Sequence, residues 1–412
     1  MTSTRSIHTW LIQTCSSILA VLLVACGGGS TGTNLAPALT PNFATPSATG
    51  DGFTVQITNY DSSYTYAGTA TASGSVSVSG AGLLTVTGVA SFTNSSATIT
   101  TAKSNTLGGS AQITATSSIK FTQKTTANGL GDNSVNGIFE LNGTAYAGTF
   151  LGLSVSTDGG ATFTTKTTFH GLGSNSVWGV YATENVVYAA TDGGLSISTD
   201  GGVTFTNITT MSGLGANQVY SVYAVGDVIY AATTGGLSIS TNGGATFTNL
   251  TTANGLGSNN VYSVYANENI VYAATRGGLS ISTNGGATFT NITTAKGLGS
   301  NYVNGVYAKE NIVYAATRGG LSISTNGGST FTNITTANGL GSNYVNGVYA
   351  TENKVYAATD GGLSISMDGA ATFTIYDTSN GQGNNTHVLT CVYVSQGKVY
   401  IGTDFNGLRI SN

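Results

Sequence analysis

Eight residues recur in this chain at intervals of 42 positions. STDGGATF at 156–163 returns as STDGGVTF at 198, as STNGGATF at 240 and 282, and as STNGGSTF at 324. A period of this length is typical of proteins built from copies of one small unit, stacked or set in a ring, in which each copy buries its apolar face against the next. The repeat therefore limits the fold before any single residue is considered.

Each copy is predicted to contain four short strands. In 339–380 these are YVNGVYA, KVYAATD, LSIS and TFTIY, separated by turns, two of them rich in Gly, Asn and Asp. The composition, with 59 Gly and 3 Pro, is that of an all-β protein. Four strands in about 42 residues predict one blade of a β-propeller. Seven copies predict a seven-bladed ring over 119–412, opening at Gly129, Gly171, Gly213, Gly255, Gly297, Gly339 and Gly381.

The ends of the repeat predict how this ring closes. The last copy stops at Asn412, before its fourth strand. Phe121 lies 42 residues before Phe163 and is therefore in register with the fourth strands. The segment KFTQKTT is expected to supply the missing strand from the other end of the repeat. A solenoid needs no such match, because its ends are capped rather than joined.

Residues 1–25 are predicted to be a signal peptide. A short segment with Arg5 precedes an apolar stretch, 11–25, that is too short to span a bilayer. LVAC at 23–26 resembles the lipobox of bacterial lipoproteins. This resemblance implies a lipid on Cys26, a membrane partner and a cell-envelope location, at the outer membrane if the species is Gram-negative. The alternative is an ordinary secretory signal with an incidental Cys26.

Two segments are expected between Cys26 and the repeats. Residues 26–42, rich in Gly and Ser, predict a flexible linker. Residues 43–118 contain short alternating segments such as FTVQITNY and LLTVTGVA, which predict a small β-sandwich. This segment resembles the immunoglobulin-like or fibronectin-like spacer modules of bacterial surface proteins, and the resemblance implies a stalk.

The recurring octapeptide resembles the Asp-box, S-x-D-x-G-x-T-W/F, of sialidase-like propellers. We expect it on the turn between the third and fourth strands, where Asp or Asn bonds the backbone of the turn and glycine accepts a positive φ. In those families the box is structural and not catalytic. The corresponding residues are Asp158, Asp200, Asn242, Asn284, Asn326 and Asp368. The sixth copy departs from the pattern, with Ala370 where glycine is expected.

A longer stretch, GLGSNSVWGVYATENVVYAATDGGL, is similar to the repeat of bacterial two-component regulator propellers. In that family the propeller is an extracytoplasmic sensor joined to a membrane helix and a kinase. Neither follows the repeats in this sequence. The resemblance therefore implies the fold and ligand sensing, without a signal output.

Enzymatic chemistry is not expected, although a sialidase-like glycan hydrolase remains the alternative. The mature chain has three arginines, Arg276, Arg318 and Arg409, and its glutamates fall at the other end of the ring. A glycosidase needs two close carboxylates, and only Asp360 and Asp404, in neighbouring copies, offer such a pair.

Metals, cofactors and nucleic acid are not expected as ligands. The histidines at 170 and 387 have no spaced partner that would suggest a metal site. Cys391 is expected to be a small buried hydrophobe. The chain has 12 Lys and Arg against 16 Asp and Glu, with no basic run that would neutralise phosphates.

Positions that differ between near-identical copies are not required for forming the turns or for packing the core. Two such series are expected at one end of the ring, in the turn between second and third strands and near the start of the inner strand. Aromatic residues with arginine are typical of interaction hot spots, although drift at tolerant positions is the alternative. The predicted binding face is Phe150, Trp178, Asp192, Tyr220, Tyr262, Arg276, Arg318, Asp360 and Asp404.

The sequence therefore predicts a lipid-anchored envelope protein whose sandwich module presents a propeller to a protein or glycan partner. Its role would be binding or scaffolding. An assembly factor for a membrane complex is a further alternative.

Overall fold

The computed structural model describes residues 35–89, 91, 93–376 and 388–411. The predicted signal peptide, Cys26, Gly381 and His387 lie outside these residues. Within the described ranges the chain forms 35 β strands and six short 3-10 helices. None of the helices found there is long and apolar enough to cross a membrane.

The first seven strands form two antiparallel sheets. The four-stranded sheet has the order β1-β2-β5-β4 and the three-stranded sheet the order β3-β6-β7. Alternate residues such as Phe53, Leu84, Val86 and Ile99 meet in one buried core between the sheets. The strands are β1 Ser47–Thr49, β2 Gly52–Gln56, β3 Thr65–Ala70, β4 Ser75–Val78, β5 Leu83–Thr87, β6 Asn94–Ala102 and β7 Gly109–Thr116.

The structure differs from the sequence prediction for residues 36–42, which were expected to belong to the flexible linker. Ala36 forms a parallel bridge with Thr106, and the carbonyl of Leu39 accepts a hydrogen bond from the Thr101 hydroxyl at 2.5 Å. The backbone N–H of Thr58 donates to the carbonyl of Asn42 at 2.8 Å. These bonds hold the segment against the sandwich.

The described residues of 121–376 and 388–411 form seven four-stranded antiparallel sheets, numbered here 1 to 7 along the chain. Within each sheet the strands follow one another from the inner, first strand to the outer, fourth strand. The inner strands are β9 Val135–Leu141, β13 Val177–Ala182, β17 Val219–Val225, β21 Val261–Asn267, β25 Val303–Lys309, β29 Val345–Ala350 and β33 Leu389–Ser395. The second strands are β10 Thr144–Thr149, β14 Val187–Thr191, β18 Val228–Thr233, β22 Ile270–Thr275, β26 Ile312–Thr317, β30 Val355–Thr359 and β34 Lys398–Thr403.

The outer half of each sheet is shorter. The third strands are β11 Gly152–Ser156, β15 Gly194–Ser198, β19 Gly236–Ser240, β23 Gly278–Ser282, β27 Gly320–Ser324, β31 Gly362–Ser366 and β35 Leu408–Ser411. The fourth strands are β12 Thr164–Lys166, β16 Thr206–Ile208, β20 Thr248–Leu250, β24 Thr290–Ile292, β28 Thr332–Ile334 and β32 Thr374–Tyr376, with β8 Phe121–Lys124 in sheet 7. The 3-10 helices that precede the inner strands of sheets 1 to 6 are Thr126–Asn128, Thr168–His170, Thr210–Ser212, Thr252–Asn254, Thr294–Lys296 and Thr336–Asn338.

Sheet 7 is completed by the strand that precedes the repeats. Phe121 pairs with Ser411 and Lys124 with Leu408 in an antiparallel ladder, as the register of Phe121 predicts. The Phe121 side chain is 1 % exposed and packs with Leu363 and Ile401, from sheets 6 and 7.

Neighbouring sheets pack face to face through small and branched side chains. The second strands, which read V-Y-A-A-T in most copies, are buried on both faces, and their alanines allow the sheets to approach closely. One buried cluster joins Tyr400 and Ile410 of sheet 7 to Val135 and Ile138 of sheet 1. The last sheet therefore packs against the first as the others pack against their neighbours.

The inner strands contribute a closed ring of aromatic side chains, called here the inner aromatic ring. Each member contacts the next with ring centroids 4.6 to 5.2 Å apart, and Tyr393 of sheet 7 returns to Phe139 of sheet 1. Burial raises the pKa of the Tyr393 hydroxyl above its ordinary range. The members are Phe139, Tyr181, Tyr223, Tyr265, Tyr307, Tyr349 and Tyr393.

Candidate binding face

The turns of the seven sheets lie at two opposite ends of their arrangement. One end, called here the variable end, carries the turns between second and third strands. The backbone N–H of Arg276 donates to the carbonyl of Asn260 at 3.2 Å, and that of Arg318 to Tyr302 at 3.1 Å. Each of these turns is therefore bonded to the residue that precedes the inner strand. Both variable series of the sequence lie at this end.

The opposite end, called here the box end, carries the turns of the recurring octapeptide. In sheet 2 the Asp200 carboxylate accepts hydrogen bonds from Ser198 Oγ at 2.7 Å and from Thr204 Oγ1 at 2.6 Å. It also accepts the backbone N–H of Thr204 at 2.9 Å. These bonds, above all the one from the Thr204 hydroxyl, hold the pKa of Asp200 well below its ordinary value. The carboxylate is thereby committed to its own turn.

Two variations of the box turn keep the same geometry. Asn242 uses Oδ1 to accept from Thr246 N–H at 3.0 Å and Nδ2 to donate to Thr246 Oγ1 at 2.9 Å. Ala370 adopts φ 79°, a left-handed conformation that L-residues disfavour. Its N–H still donates to Ser366 Oγ at 2.8 Å. The turn therefore survives both substitutions at this end.

The second residue of the inner strand has two forms around the ring. In four sheets it is a small polar residue whose side chain donates to a carbonyl of the next inner strand, which joins neighbouring sheets. The bonds run from Asn136 to Val177 at 3.1 Å, from Asn304 to Val345 at 2.8 Å, from Asn346 to Leu389 at 3.0 Å, and from Thr390 to Val135 at 2.5 Å.

In sheets 2, 3 and 4, which are consecutive, this residue is aromatic. Trp178 donates its indole N–H to Asp192 at 2.7 Å, within its own sheet. Trp178 and Tyr220 meet edge to face with centroids 5.6 Å apart, and Tyr220 and Tyr262 lie 5.4 Å apart. These side chains carry no amide that could form the bridge made by asparagine. The packing of the ring therefore accounts for the four polar residues but not for the three aromatic ones.

The three aromatic residues belong to a longer string, called here the aromatic arc. Phe150 in sheet 1 meets Trp178 at 5.3 Å, and Tyr262 stacks on Tyr302 at 5.1 Å with their hydroxyls hydrogen-bonded. Burial and the bond to Tyr302 raise the pKa of Tyr262. The arc therefore consists of Phe150, Trp178, Tyr220, Tyr262 and Tyr302, and it follows five neighbouring sheets.

Two arginines stand at one end of the arc and are called here the Arg pair. The Arg318 guanidinium lies over the Tyr302 ring at 3.3 Å and 5.1 Å from the Tyr344 ring. The Arg276 guanidinium lies 5.9 Å from the same Tyr302 ring. Both arginines are exposed. Stacking fixes the plane of Arg318, and a guanidinium is a group that can bind a bidentate acceptor.

Sequence reasoning missed Tyr302 and Tyr344. A third variable series would have revealed them, because the residue before the inner strand is Tyr in sheets 5 and 6 and Ser, Gln or Asn in sheets 1 to 4. Their contacts with Arg318 depend on the distance between neighbouring sheets, which the repeat alone does not give.

The aspartates at the variable end accept hydrogen bonds from neighbouring side chains. Asp192 accepts from Trp178 and from Gln218 at 2.9 Å. Asp360 accepts from Asn346 Nδ2 at 2.8 Å, and Asp404 from Ser134 Oγ at 3.4 Å. These bonds anchor the carboxylates in their turns. Asp360 and Asp404, the pair considered for glycosidase chemistry, are thus each held by a different polar neighbour.

An open cavity of about 600 Å³ lies at the variable end, where the inner strands begin. Trp178, Tyr220, Tyr262, Tyr302 and Arg318 line it. The other predicted residues, Phe150, Asp192, Arg276, Asp360 and Asp404, stand outside this lining on the surrounding turns. The volume is in the range of sites that hold small ligands or a few residues of a peptide.

Other reactive side chains have structural surroundings. Burial raises the pKa of the Cys391 thiol to about 11, which disfavours the thiolate. His170 Nδ1 accepts the backbone N–H of Thr167 at 3.1 Å, where Asn128 plays the same part in the preceding copy. Across the described residues no group of three or more His, Cys, Asp or Glu side chains is placed to hold a metal ion.

Comparison with known proteins identifies the fold. No family model matches this chain, and no curated protein matches it. Among solved structures, it is similar to the extracellular domain of the hybrid two-component system BT3049 from B. thetaiotaomicron, with a TM-score of 0.61 and 20% identity. The match covers 76% of this chain and 44% of that one, so this chain spans less than half of that relative.

Two shorter propellers match over nearly their whole length. The structure of YCF48 bound to D1 peptide gives a TM-score of 0.54 at 15% identity, covering 71% of this chain and 96% of that one. The WD40 propeller domain of Doa1 gives 0.52 at 12% identity, covering 69% and 94%. The chain therefore has an all-β propeller fold built from repeated four-stranded sheets.

Proposed function

We propose that this protein is a lipid-anchored binding or scaffolding protein of the bacterial cell envelope. In this proposal a seven-bladed propeller, closed by the strand 121–124, is carried on an immunoglobulin-like module. The propeller binds a protein or glycan partner at its variable end, through the aromatic arc and the Arg pair. The membrane partner is reached through the lipid on Cys26, which follows from the lipobox in the sequence.

The architecture of this proposal has support in both parts of the chain. The strand orders β1-β2-β5-β4 and β3-β6-β7 match those of the ABED and CFG sheets of a constant-type immunoglobulin domain, which supports the immunoglobulin-like module. The inner aromatic ring has one member from each of seven sheets and returns to its start, which supports a closed seven-bladed ring. The box turns are those expected of an Asp-box that stabilises its own turn.

The binding role is supported by one observation. In three consecutive copies the inner strand lacks the asparagine whose side chain forms a hydrogen bond to the next sheet. Trp178, Tyr220 and Tyr262 replace a residue whose amide joins neighbouring sheets elsewhere. A buried hydrogen bond of this kind stabilises by about 1 kcal/mol. These replacements adjoin one another and lead to the Arg pair, so that they can form one surface. A propeller of the same fold also holds a peptide in the YCF48 structure.

The test is a pull-down from envelope extracts of the native cell with three forms of the protein. The wild type and the variant Glu268→Gln/Glu310→Gln, changed at the box end, should retain the same partner. The variant Arg276→Ala/Arg318→Ala should lose it, by more than about 2 kcal/mol of binding free energy. Exposed charges away from the contact should contribute well under about 1 kcal/mol. Loss with the glutamate variant and retention with the arginine variant would place the working face at the box end instead.

A further inference from the structure

Large apolar side chains project into solvent from the loops that lead into sheets 2 and 3. Phe169 is 98% exposed and Met211 is 96% exposed. Both stand at the second position of a 3-10 helix, where the equivalent residue of four other copies is alanine, at Ala127, Ala253, Ala295 and Ala337. The repeat therefore folds without a large side chain here, and folding does not explain these two residues.

These residues lie on the same sheets as the aromatic arc. The loop that follows Phe169 is bonded to sheet 2 through Gly173 N–H and Ser196 Oγ at 2.9 Å. The loop that follows Met211 is bonded to sheet 3 through Gly215 N–H and Ser238 Oγ at 2.9 Å. Sheets 2 and 3 also carry Trp178 and Tyr220.

The exposed apolar residues continue into the adjacent sheets. Leu151 is 55% exposed and Phe150 38% exposed in the turn of sheet 1, and Phe405 is 74% exposed in the turn of sheet 7. We call Phe150, Leu151, Phe169, Met211 and Phe405 the apolar sector. Sheets 7, 1, 2 and 3 are neighbours, and the aromatic arc runs from Phe150 of this sector to the Arg pair on sheets 4 and 5. Exposed apolar patches with a polar border mark interaction sites.

We propose that the partner is a protein segment which places apolar side chains on the apolar sector and a carboxylate on the Arg pair. This inference rests on the proposed function and specifies its ligand. Leu151 and Met211 offer no hydrogen bond to a sugar, whereas they bury favourably against apolar side chains. Arg276 and Arg318 present guanidinium groups beside one ring, a geometry that suits a carboxylate acceptor.

Charge separates this partner from a polyanion or an anionic membrane. Asp192, Asp360 and Asp404 stand on the same end as the Arg pair, and the whole chain has a net charge of −4. A surface with many negative charges would meet these carboxylates, whereas a protein segment can carry one carboxylate and otherwise be neutral.

The experiment uses the chain from residue 27 to 412, which retains every described residue. The protein is labelled and exposed to an immobilised library of random hexapeptides, and the best peptide is then titrated by fluorescence anisotropy. We expect the selected peptides to contain apolar residues together with an acidic residue or a free carboxyl end. Replacing that carboxylate by an amide should weaken binding about tenfold or more.

Matched variants locate the peptide on the surface. Phe169→Ala/Met211→Ala converts both positions to the alanine of four other copies, and should weaken binding about tenfold without changing the melting temperature, since both side chains are almost fully exposed. Arg276→Ala/Arg318→Ala should weaken it about 30-fold. Glu268→Gln/Glu310→Gln should leave it within about twofold.

Three results would overturn the inference. The first is that no peptide is selected above the level seen with the arginine variant. The second is that the selected peptides lack a carboxylate. The third is that the protein binds tetragalacturonate or phosphatidylglycerol vesicles and not peptides. If the peptide experiment gives one of these results while the envelope pull-down is still weakened by Arg276→Ala/Arg318→Ala, the binding face stands and the ligand class is wrong. If the pull-down does not respond either, the proposed function falls as well.

Discussion

Replacing Phe121 by alanine tests whether the strand before the repeats holds the ring together. The side chain is 1 % exposed and packs against residues of sheets 6 and 7. Truncating a buried phenylalanine removes its transfer free energy and leaves a cavity, at a cost of about 3–5 kcal/mol. For a unit of this size we expect a fall in melting temperature on the order of 10 °C. The freed edge of β35 should also pair with other molecules, because its backbone groups lose their partner.

The assay is thermal unfolding combined with hydrogen exchange. Amides of residues 408–411 should lose protection first, since they pair with 121–124. The control is Gln123→Ala on the same strand, which removes an exposed side chain and its bond to the Asn406 carbonyl at 2.8 Å, and should cost less than about 1 kcal/mol. If both variants melt together near the wild-type temperature, closure by this strand is wrong.

Three further predictions concern other parts of the chain. Cys26→Ser should leave an unprocessed precursor or release the protein from the membrane fraction, and lipid label retained on the variant would contradict the anchor. Hydrogen bonds within the box turns lower the pKa of Asp158, Asp200 and Asp368, so the stabilisation from these carboxylates is present above the unfolded pKa of about 3.9 and lost as the pH falls through the lower folded value. A variant with asparagine at all three positions should therefore lose less stability than the wild type between neutral pH and about pH 2. Parallel acid-unfolding curves for the two proteins would contradict this. Gly286→Ala, at the position occupied by Ala370 in sheet 6, should cost about 1–2 kcal/mol in chemical unfolding. Gly255→Ala should cost more, because its Cβ would lie 2.0 Å from the Phe289 carbonyl oxygen, and equal costs would refute the comparison.

The repeat predicted the fold well because each copy satisfies its hydrogen bonds locally. Strand order, the box turn and the register of Phe121 follow from positions counted along the chain, and the structure places them accordingly. Contacts between copies are harder to predict, because they depend on how closely neighbouring sheets approach. Tyr302 was missed for this reason, as was the inner aromatic ring. Residues 36–42 were misjudged because their bonds are made largely by backbone groups, which composition does not reveal.

The candidate site could be found only in part from the sequence. Alignment of the copies identified Trp178, Tyr220, Tyr262 and Arg318, which line the cavity. The alignment could not distinguish residues that bind a partner from residues at positions that tolerate substitution, because both vary between the copies. The structure supplies the missing criterion, the bond that asparagine makes to the next sheet and that an aromatic residue cannot make.

The two ends of the ring differ in the kind of variation they carry. At the box end, Asp and Asn replace one another while the backbone bond from the threonine is kept, and Ala370 keeps its bond despite a strained φ. Those replacements conserve the fold and alter little else. At the variable end, replacements remove a bond between sheets at Trp178, or expose Phe169 where alanine would serve. Exposed apolar side chains that the fold does not need are the surface that the proposed protein partner would bury at this end.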